Sequence, residues 1–483
     1  MFSFVKSAKL AYLYVFLTGA VFRGIPEIIV PQYPVGFETI TYYAPAMIIF
    51  SKRSLIDIFV DAFQVSSTVS SYRPLLDTFR AGPFFYILMW LTSIVSSIHV
   101  YLILKVVGPL LYGFLAVSFF VFLNRGLNFE RKKAFVGTLV LVFQIAALRE
   151  SWDRFRTVLS LIFLFATLTT LKSESKYKWW LVAIFGTLTA LSREYVTLVL
   201  FVTVLGFVIV KDKDKLIPLA ALAPALIIFT AMAYPALSWW NFLSPNNPFN
   251  IRSYPWLLQD VFSIFAVCYL PILPLVVNGF KRDDILDPMV SWLLLGSFSI
   301  ILSPLFAVPG YQRWLMLLVF PFSVYAVNGF EHFHLFNKDN FKKLLTILLI
   351  FAVIGIGYSS GAFSYVVLPN SWVPTNLVQS SIAWDQVDDV KGVLLWLDEN
   401  AITNSCILCE ERFYGWTLIY LERANNDVEI IPYGANSAPT AALEKALNDD
   451  FSKIYLIWYV NSSFENFQVI YSLENVAIFQ YEL

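Results

Sequence analysis

Carboxylates and arginines lie between or just beyond apolar stretches of this chain, where a membrane would hold them near its surface. The first group is a loop from Phe22 to Pro45, which follows the first apolar stretch and contains Glu27 and Glu38. Because Lys6 and Lys9 precede that stretch and lysine prefers the cytoplasmic side, we expect the loop at the outer surface. A carboxylate held there is costly and indicates function, which is to remove a proton from an acceptor hydroxyl or to bind a metal ion.

Glu38 is the stronger candidate of the two because of the residues on either side of it. Gly36 permits a turn two residues before it, and an aromatic helix with the sequence TITYYAP begins directly after it. Prolines stiffen the rest of the loop. The alternative for both Glu27 and Glu38 is an ordinary ionised side chain at the membrane surface.

A second group of charges, LRESWDRFR, lies between two apolar stretches. Arginine suits phosphate because its planar guanidinium group makes two parallel hydrogen bonds. The stretch is therefore a candidate for a lipid-phosphate or catalytic acid site, and a cap of internally paired charges is the alternative. Its candidate residues are Arg149, Glu150, Asp153, Arg154 and Arg156.

Two shorter motifs add further arginines. Arg193 and Glu194 lie in a tight connection between two predicted helices, where charges face the protein or an aqueous cavity unless they pair with each other. Gln312 and Arg313 begin a helix whose end faces outward. Arg313 is a candidate to bind the phosphate of a lipid carrier, and the alternative is an anchor at the membrane surface.

The composition indicates a membrane protein. Apolar residues make up 58% of the chain and charged residues 14%, whereas about 25% of a soluble domain is charged. The net charge is zero, so nothing indicates nucleic acid as a partner. The sequence also has no glycine-rich phosphate loop, GxSxG or HExxH motif, which disfavours ATP-driven transport and serine hydrolase chemistry.

The predicted fold class is mainly α, a polytopic transmembrane bundle of about 11–13 spans followed by a small extracytoplasmic α/β domain. The first apolar stretch is interpreted as a retained helix rather than a cleaved signal peptide. Lysine-rich loops then alternate with lysine-poor loops, which places the N-terminus in the cytoplasm of a plasma-membrane protein. The predicted helices are about 8–22, 107–123, 134–148, 156–172, 178–191, 194–210, 216–234, 261–279, 289–307, 313–328 and 343–360.

Residues 83–104 do not fit this alternation. They are apolar enough to cross a membrane, yet a single crossing there would place all the later lysine-rich loops outside. We interpret the segment as re-entrant, as a helix on the outer surface, or as two short crossings.

The C-terminal part alternates short apolar stretches typical of strands with stretches of helical period, which predicts the α/β domain. The predicted strands are SCILCEE, DVEIIPY, KIYLIWYV and VAIFQYEL. Cys406 and Cys409 point to opposite faces of the first strand, which opposes a disulfide, and no second pair of zinc ligands is evident. The predicted organisation is a transmembrane module at 1–360 with a large first outer loop at 23–82, a linker at 361–383 and an outer domain at 384–483.

With these motifs the chain resembles the integral-membrane glycosyltransferases of the GT-C superfamily, especially the archaeal members. The similarity extends over most of the chain through short motifs, which are YPVGFETITYYAP, KVVGPLLYGFLAVSFFVFLNR, ALRESWDRFRTVLSLIFLF, LTALSREYV, YQRWLMLLVFPFSVYAVNGF and ERFYGWTLIYL. The resemblance implies a sugar donor on polyprenyl (dolichyl) phosphate within the membrane lipids, and a glycan, lipid or protein acceptor at the outer face.

The resemblance also implies functions for individual residues. Glu38 occupies the place of an Asp that is commonly catalytic or metal-binding, so a divalent metal, Mg²⁺ or Mn²⁺, stays open. Asp153 matches the second acid, and Arg313 matches an arginine where a carrier phosphate sits, with Arg154 and Arg193 as further candidates. The expected reaction inverts the anomeric carbon and needs no nucleotide.

Two other classes of function stay open. One is a transporter or flippase for lipid-linked sugars, which would place charges in the middle of the membrane. The other is a non-catalytic scaffold whose outer domain binds a partner. Convergence of Glu38, Asp153, Arg193 and Arg313 would favour the enzyme, because a scaffold has no reason to gather these residues.

Overall fold

The computed structural model describes residues 7–30, 33–63, 73–95, 100–210, 216–237, 254–280, 292, 296, 311–337, 339–361, 377–421, 428–433 and 439–482. Within these ranges the chain is mainly helical up to residue 361, and a five-stranded sheet with flanking helices follows near the C-terminus. The predicted span 289–307 and the predicted linker 361–383 lie largely outside the described residues.

Helices of very different lengths build the apolar part of the protein. Short π-helices at Thr39–Tyr43 and Phe122–Gly126 interrupt the α-helical pattern. The α-helices are α1 (Ala8–Ile29), α2 (Ala44–Ser51), α3 (Leu55–Phe63), α4 (Arg73–Arg80), α5 (Pro83–Val95), α6 (Val100–Val121), α7 (Arg131–Phe143), α8 (Ile145–Asp153), α9 (Phe155–Leu171), α10 (Lys178–Ser192), α11 (Glu194–Val210), α12 (Leu216–Ala221), α13 (Ala223–Leu237), α14 (Tyr254–Tyr269), α15 (Leu273–Gly279), α16 (Tyr311–Leu317), α17 (Val319–His332) and α18 (Phe341–Ser359).

Several of these helices are long and apolar enough to cross a membrane. Among the described residues there are four such helices, at Ala8–Ile29, Val100–Gly126, Gln312–His332 and Phe341–Ser359. Two bent pairs, α7 with α8 and α14 with α15, raise the number to six if each pair is one span. This is fewer than the predicted 11–13, because several predicted spans fold as apolar helices of 10–17 residues. The larger number stays a prediction.

Two predicted boundaries near the candidate residues are wrong. The first helix does not end at residue 22 but continues to Ile29, so Glu27 lies in a helix and not in a loop. An ion pair between Arg23 and Glu27, one turn apart, stabilises this extra turn although Pro26 removes a backbone donor. LRESWDRFR is likewise helical for most of its length and not a connection between helices. The chain bends by 66° at Gln144, and the next helix, α8, continues to Asp153.

The segment 83–104 divides between two helices. Its first part is the short apolar helix α5, and its last residues already belong to the long helix α6. Residues 96–99 between the two lie outside the described ranges. The segment is therefore not one continuous span in the described residues.

The C-terminal sheet contains β1 (Ser405–Glu410), β2 (Val428–Tyr433), β3 (Lys453–Tyr459), β4 (Phe467–Ser472) and β5 (Val476–Tyr481). Its strand order is β2-β1-β3-β5-β4, with β1 parallel to both neighbours and β5 antiparallel to both of its own. Three helices accompany it, α19 (Val387–Asn400), α20 (Glu411–Tyr420) and α21 (Thr440–Asn448). The prediction missed β4, an edge strand whose apolar residues Val469 and Ile470 are largely exposed.

The two cysteines of β1 are free, as predicted. Cys406 and Cys409 are buried on opposite sides of the sheet, in two different hydrophobic clusters. The helix α20 begins directly after β1, at the carboxyl end of the central parallel strand, and packs against the π-helix Thr39–Tyr43 of the apolar part. The sheet domain is therefore in direct contact with the segment that follows α1.

Candidate functional site

The position of Glu38 depends on the glycine two residues before it. Gly36 has φ of +130°, which side chains other than glycine rarely adopt. A Cβ atom at this position would also lie 2.6 Å from the Cβ atom of Asp153. The predicted turn is therefore present, and it places the start of the π-helix Thr39–Tyr43 against the end of α8.

Asp153 holds the backbone of Glu38. One of its carboxylate oxygens accepts a hydrogen bond from the Glu38 backbone N–H at 3.2 Å, and the other accepts one from Arg149 one turn earlier. Asp153 is completely buried. Because both oxygens are engaged inside the protein, the geometry favours a positioning function for Asp153 over that of the second catalytic acid.

Two arginines from distant parts of the chain face the carboxylate of Glu38. The Nη2 atom of Arg313 lies 3.5 Å from Oε1 of Glu38, and the Nε atom of Arg154 lies 3.8 Å from the same oxygen. The Glu38 side chain is 12% exposed and the Arg313 side chain 35%. A molecule arriving from outside can therefore reach Arg313 without unfolding the cluster.

These arginines set the charge state of Glu38. Burial alone would raise the pKa of its carboxyl group, but the positive charges of Arg313 and Arg154 outweigh burial and lower the pKa to about 2. Arg193 and Arg156 act in the same direction from farther away. Glu38 is therefore ionised throughout the physiological pH range.

Arg193 belongs to the same group through Tyr195. Its guanidinium lies 4.9 Å from the centre of the Tyr195 ring, and the guanidinium of Arg313 lies 5.8 Å from that ring. Arg193 is buried and its Nε atom lies 3.6 Å from the half-exposed Glu194. The Nε atoms of Arg193 and Arg154 make no hydrogen bond within the described residues. Donors without acceptors inside a protein are costly, so an anionic ligand would stabilise them.

The other charged residues of LRESWDRFR form most of their hydrogen bonds inside the protein. Arg154, at the break between α8 and α9, donates a hydrogen bond to the fully buried Glu150. Arg156 donates to the Thr78 carbonyl and to the Tyr43 hydroxyl, the latter at 3.4 Å. The alternative of internally paired charges therefore applies to Arg149, which pairs with Asp153, and to Glu150, which pairs with Arg154. Arg154 also faces Glu38.

Glu27 belongs to a separate cluster. Arg23 donates to Glu27 at 2.8 Å and also to the carbonyls of Ser151 and Trp152, at 3.0 and 2.6 Å. Lys105 donates to the other oxygen of Glu27 at 3.3 Å. This cluster fixes the end of α8 and leaves Glu27 enclosed, which disfavours Glu27 as a catalytic base.

The charges around Glu38 favour an anion over a metal cation. The group has five arginines and four carboxylates and therefore one excess positive charge, and its members are Arg149, Arg154, Arg156, Arg193, Arg313, Glu38, Glu150, Asp153 and Glu194. The described residues contain no group of three His, Cys, Asp or Glu side chains that could hold a metal. Each carboxylate here already faces an arginine, so these residues do not fit Mg²⁺ or Mn²⁺.

The structure thus gathers Glu38, Asp153, Arg154, Arg193 and Arg313 and separates Glu27 from them. Gln312 precedes Arg313 on α16 and is half-buried. The sequence analysis did not include Tyr195 among the candidates. In the sequence, only its position two residues after Arg193 indicates that it belongs to the site. The cluster around Arg23 was also missed, although the single lysine in the apolar helix α6 was an available sign.

No protein-family model matches this chain, and a search of curated proteins finds no match either.

Proposed function

We propose that the protein is a membrane glycosyltransferase of the GT-C type that moves a sugar from a polyprenyl-phosphate carrier to an acceptor. The observation that carries this proposal is the meeting of Glu38 with Arg313 and Arg154, at 3.5 and 3.8 Å, from three distant parts of the chain. A carboxylate beside arginines with unused donors offers a base and a phosphate site at one place.

In the proposed reaction the acceptor hydroxyl oxygen attacks the anomeric carbon from the face opposite the lipid phosphate. The new C–O bond forms as the bond from the anomeric carbon to the phosphate oxygen breaks, so the configuration inverts. The acceptor proton passes to the carboxylate of Glu38, and the electron pair of the broken bond stays on the polyprenyl phosphate. Arg313, with Arg154 and Arg193, stabilises the negative charge that develops on this phosphate.

The charges of the site also explain how Glu38 becomes a better base. With its pKa near 2, the free carboxylate accepts protons poorly. A phosphate bound to Arg313 offsets the charge that lowers this pKa, and the basicity of Glu38 rises accordingly. Binding of the donor therefore prepares the base.

The proposal also includes a membrane topology. We propose that most of the shorter apolar helices are also embedded, giving 11–13 spans, with a cytoplasmic N-terminus and the Glu38 cluster and sheet domain outside a plasma membrane. The scarcity of lysine in the loops that contain the cluster supports this orientation.

The test is sugar transfer by the purified protein in liposomes, with labelled polyprenyl-phosphate sugars as donors and an envelope extract as the acceptor source. We expect transfer by the wild type and a loss of about 10²–10⁴-fold in Glu38→Gln, which keeps the shape but removes the base. Glu331→Gln is the matched control, since Glu331 is half-exposed and pairs only with Lys133 within the described residues.

Three outcomes separate the alternatives. Transfer that survives Glu38→Gln would keep the enzyme class and move the base to another carboxylate. Movement of the labelled lipid across the bilayer without transfer would favour the transporter. Neither activity in folded protein, from any donor, would favour the scaffold.

A further inference from the structure

The segment that contains Glu38 is held between two surfaces. On one side Gly36 lies against the end of α8, as described above. On the other side α20 of the sheet domain approaches so closely that a Cβ atom on Gly415 would lie 2.3 Å from the Ile40 carbonyl oxygen and 2.5 Å from Thr41 Cα. Both neighbours are backbone atoms of the π-helix that follows Glu38, so they cannot move aside as a flexible side chain can.

Other contacts of the sheet domain hold the same segment. Tyr33 packs edge-on against the buried Trp416 at 5.3 Å between ring centres, and its hydroxyl donates to the Trp384 carbonyl at 3.3 Å. Burial and then the nearby Glu411 carboxylate raise the pKa of Tyr42, which lies within the π-helix. The docking of α20 thus extends along the segment from Tyr33 to Tyr42.

The side chain of Glu38 makes no hydrogen bond within the described residues, and its nearest arginine atoms are 3.5 and 3.8 Å away. Its backbone N–H is bonded to Asp153. The location of its carboxylate is therefore determined mainly by its backbone, and that backbone continues into the π-helix against which Gly415 lies.

We propose that Gly415 is a positioning residue, through which helix α20 of the sheet domain fixes the place of the Glu38 carboxylate. This inference rests on the proposed function of Glu38 as the base. The sheet domain then contributes to the reaction by setting the geometry of a residue nearly four hundred positions earlier, without a reacting group of its own.

The test compares Gly415→Ala with Gly392→Ala in the full-length protein in liposomes. Gly392 lies in α19 of the same domain, where a new Cβ atom would meet only the end of the Leu473 side chain, at 2.5 Å. We expect Gly415→Ala to lower kcat about a hundredfold, because a displacement of about 1 Å in a reacting group has that effect. KM for the polyprenyl-phosphate sugar should stay unchanged, since Arg313 belongs to α16 and not to the π-helix that Gly415 contacts. Gly392→Ala should retain the wild-type kcat.

A second readout does not depend on activity. Hydrogen exchange of the backbone amides between residues 36 and 47 should become faster in Gly415→Ala than in Gly392→Ala or the wild type. If the wild type transfers no sugar, the proposed function fails, and this exchange still decides whether Gly415 positions the segment. If Gly415→Ala does not fold, Trp416→Leu replaces it, with a loss of roughly tenfold in kcat from the lost ring contact.

Three results would overturn the inference. One is unchanged kcat and unchanged exchange in Gly415→Ala, or in Trp416→Leu where that variant replaces it. Another is an equal loss of kcat in Gly392→Ala, which would reflect general damage to the domain. The third is a rise in KM with unchanged kcat, which would place the effect at the carrier site.

Discussion

Two buried clusters of charge lie at opposite ends of the same short segment and differ in how far their hydrogen bonds are satisfied. In the cluster of Arg23, Glu27 and Lys105, all three guanidinium nitrogens of Arg23 donate, and both carboxylate oxygens of Glu27 accept. In the cluster of Glu38, the nearest arginine atoms stand at 3.5 and 3.8 Å.

Unsatisfied hydrogen-bond donors can therefore separate a binding site from a cluster of ion pairs that only stabilises the fold. A saturated cluster gains little from a ligand, because each of its nitrogen atoms already donates to an acceptor. In the Glu38 cluster, two arginine Nε atoms make no hydrogen bond within the described residues, and Arg313 is partly exposed. Most side chains of both clusters are buried, so the unsatisfied donors and the exposure of Arg313 are what separate the two clusters.

The largest expected effect concerns the saturated cluster. Arg23→Met would leave Glu27 short of a partner and the carbonyls of Ser151 and Trp152 without a donor. We expect the free energy of unfolding to fall by about 3–5 kcal/mol, the range for breaking a buried ion pair. Denaturant titration in detergent, followed by tryptophan fluorescence, measures this loss. Glu38→Gln serves as the comparison and should lose much less stability. Equal losses in the two variants would remove the distinction between the clusters.

An intermediate effect is expected at Arg313. Arg313→Lys keeps the charge but loses the planar pair of donors, so kcat/KM for the polyprenyl-phosphate sugar should fall about ten- to hundredfold. Its stability should change little, because the side chain is partly exposed. Steady-state kinetics over a range of donor concentrations give the value. Lys52→Arg, at the exposed residue that follows α2, is a conservative control. Kinetics equal to the wild type in Arg313→Lys would remove Arg313 from phosphate binding.

The smallest effect is a shift in pH dependence. The pKa of Glu38 is lowered from 4.5 to about 2, so the carboxylate is ionised above that pH and is protonated only as the pH falls through it. We therefore expect kcat/KM of the wild type to be level from pH 7 down to 4, and the acid limb of Arg313→Gln to move up toward 4.5. Stability linked to Glu38 follows the same sign and is lost as the pH falls from 4.5 to 2.

The pH profiles of kcat and of kcat/KM test this prediction separately. Profiles of kcat report the enzyme with bound donor, where the phosphate offsets Arg313, so their acid limb should lie above that of kcat/KM in the wild type. An acid limb near 4.5 in wild-type kcat/KM would mean that Arg313 does not act on Glu38 in the free protein.

The sequence points to charged residues that the structure brings together, but it misplaces the boundaries of the elements that hold them. Glu38 and Arg313 stand out as candidates because charges between apolar stretches are costly and arginine fits phosphate. Glu27 was misplaced because a proline within a helix resembles a loop signal, and only the partner Arg23 shows otherwise. The bend at Gln144 has no local sequence signal.

In the C-terminal sheet, β1, β3 and β5 were predicted because short apolar stretches of this kind form buried strands. The half-buried β2 was predicted from its apolar residues as well. The edge strand β4 was missed since its apolar residues are largely exposed. The contact between Gly415 and Ile40 could not be predicted from one sequence, because a glycine within a helix gives no sign of the distant backbone that requires it.

The position of Gly415 late in the chain has a consequence for biosynthesis. By the time residue 313 has been made, every charged member of the Glu38 cluster exists, but the surface that closes over Ile40 and Thr41 does not. The π-helix then packs against the end of α8 but not yet against α20, which belongs to about the last seventy residues. We therefore expect a nascent or truncated chain to contain every charged residue of the site without the alignment that we propose for Glu38.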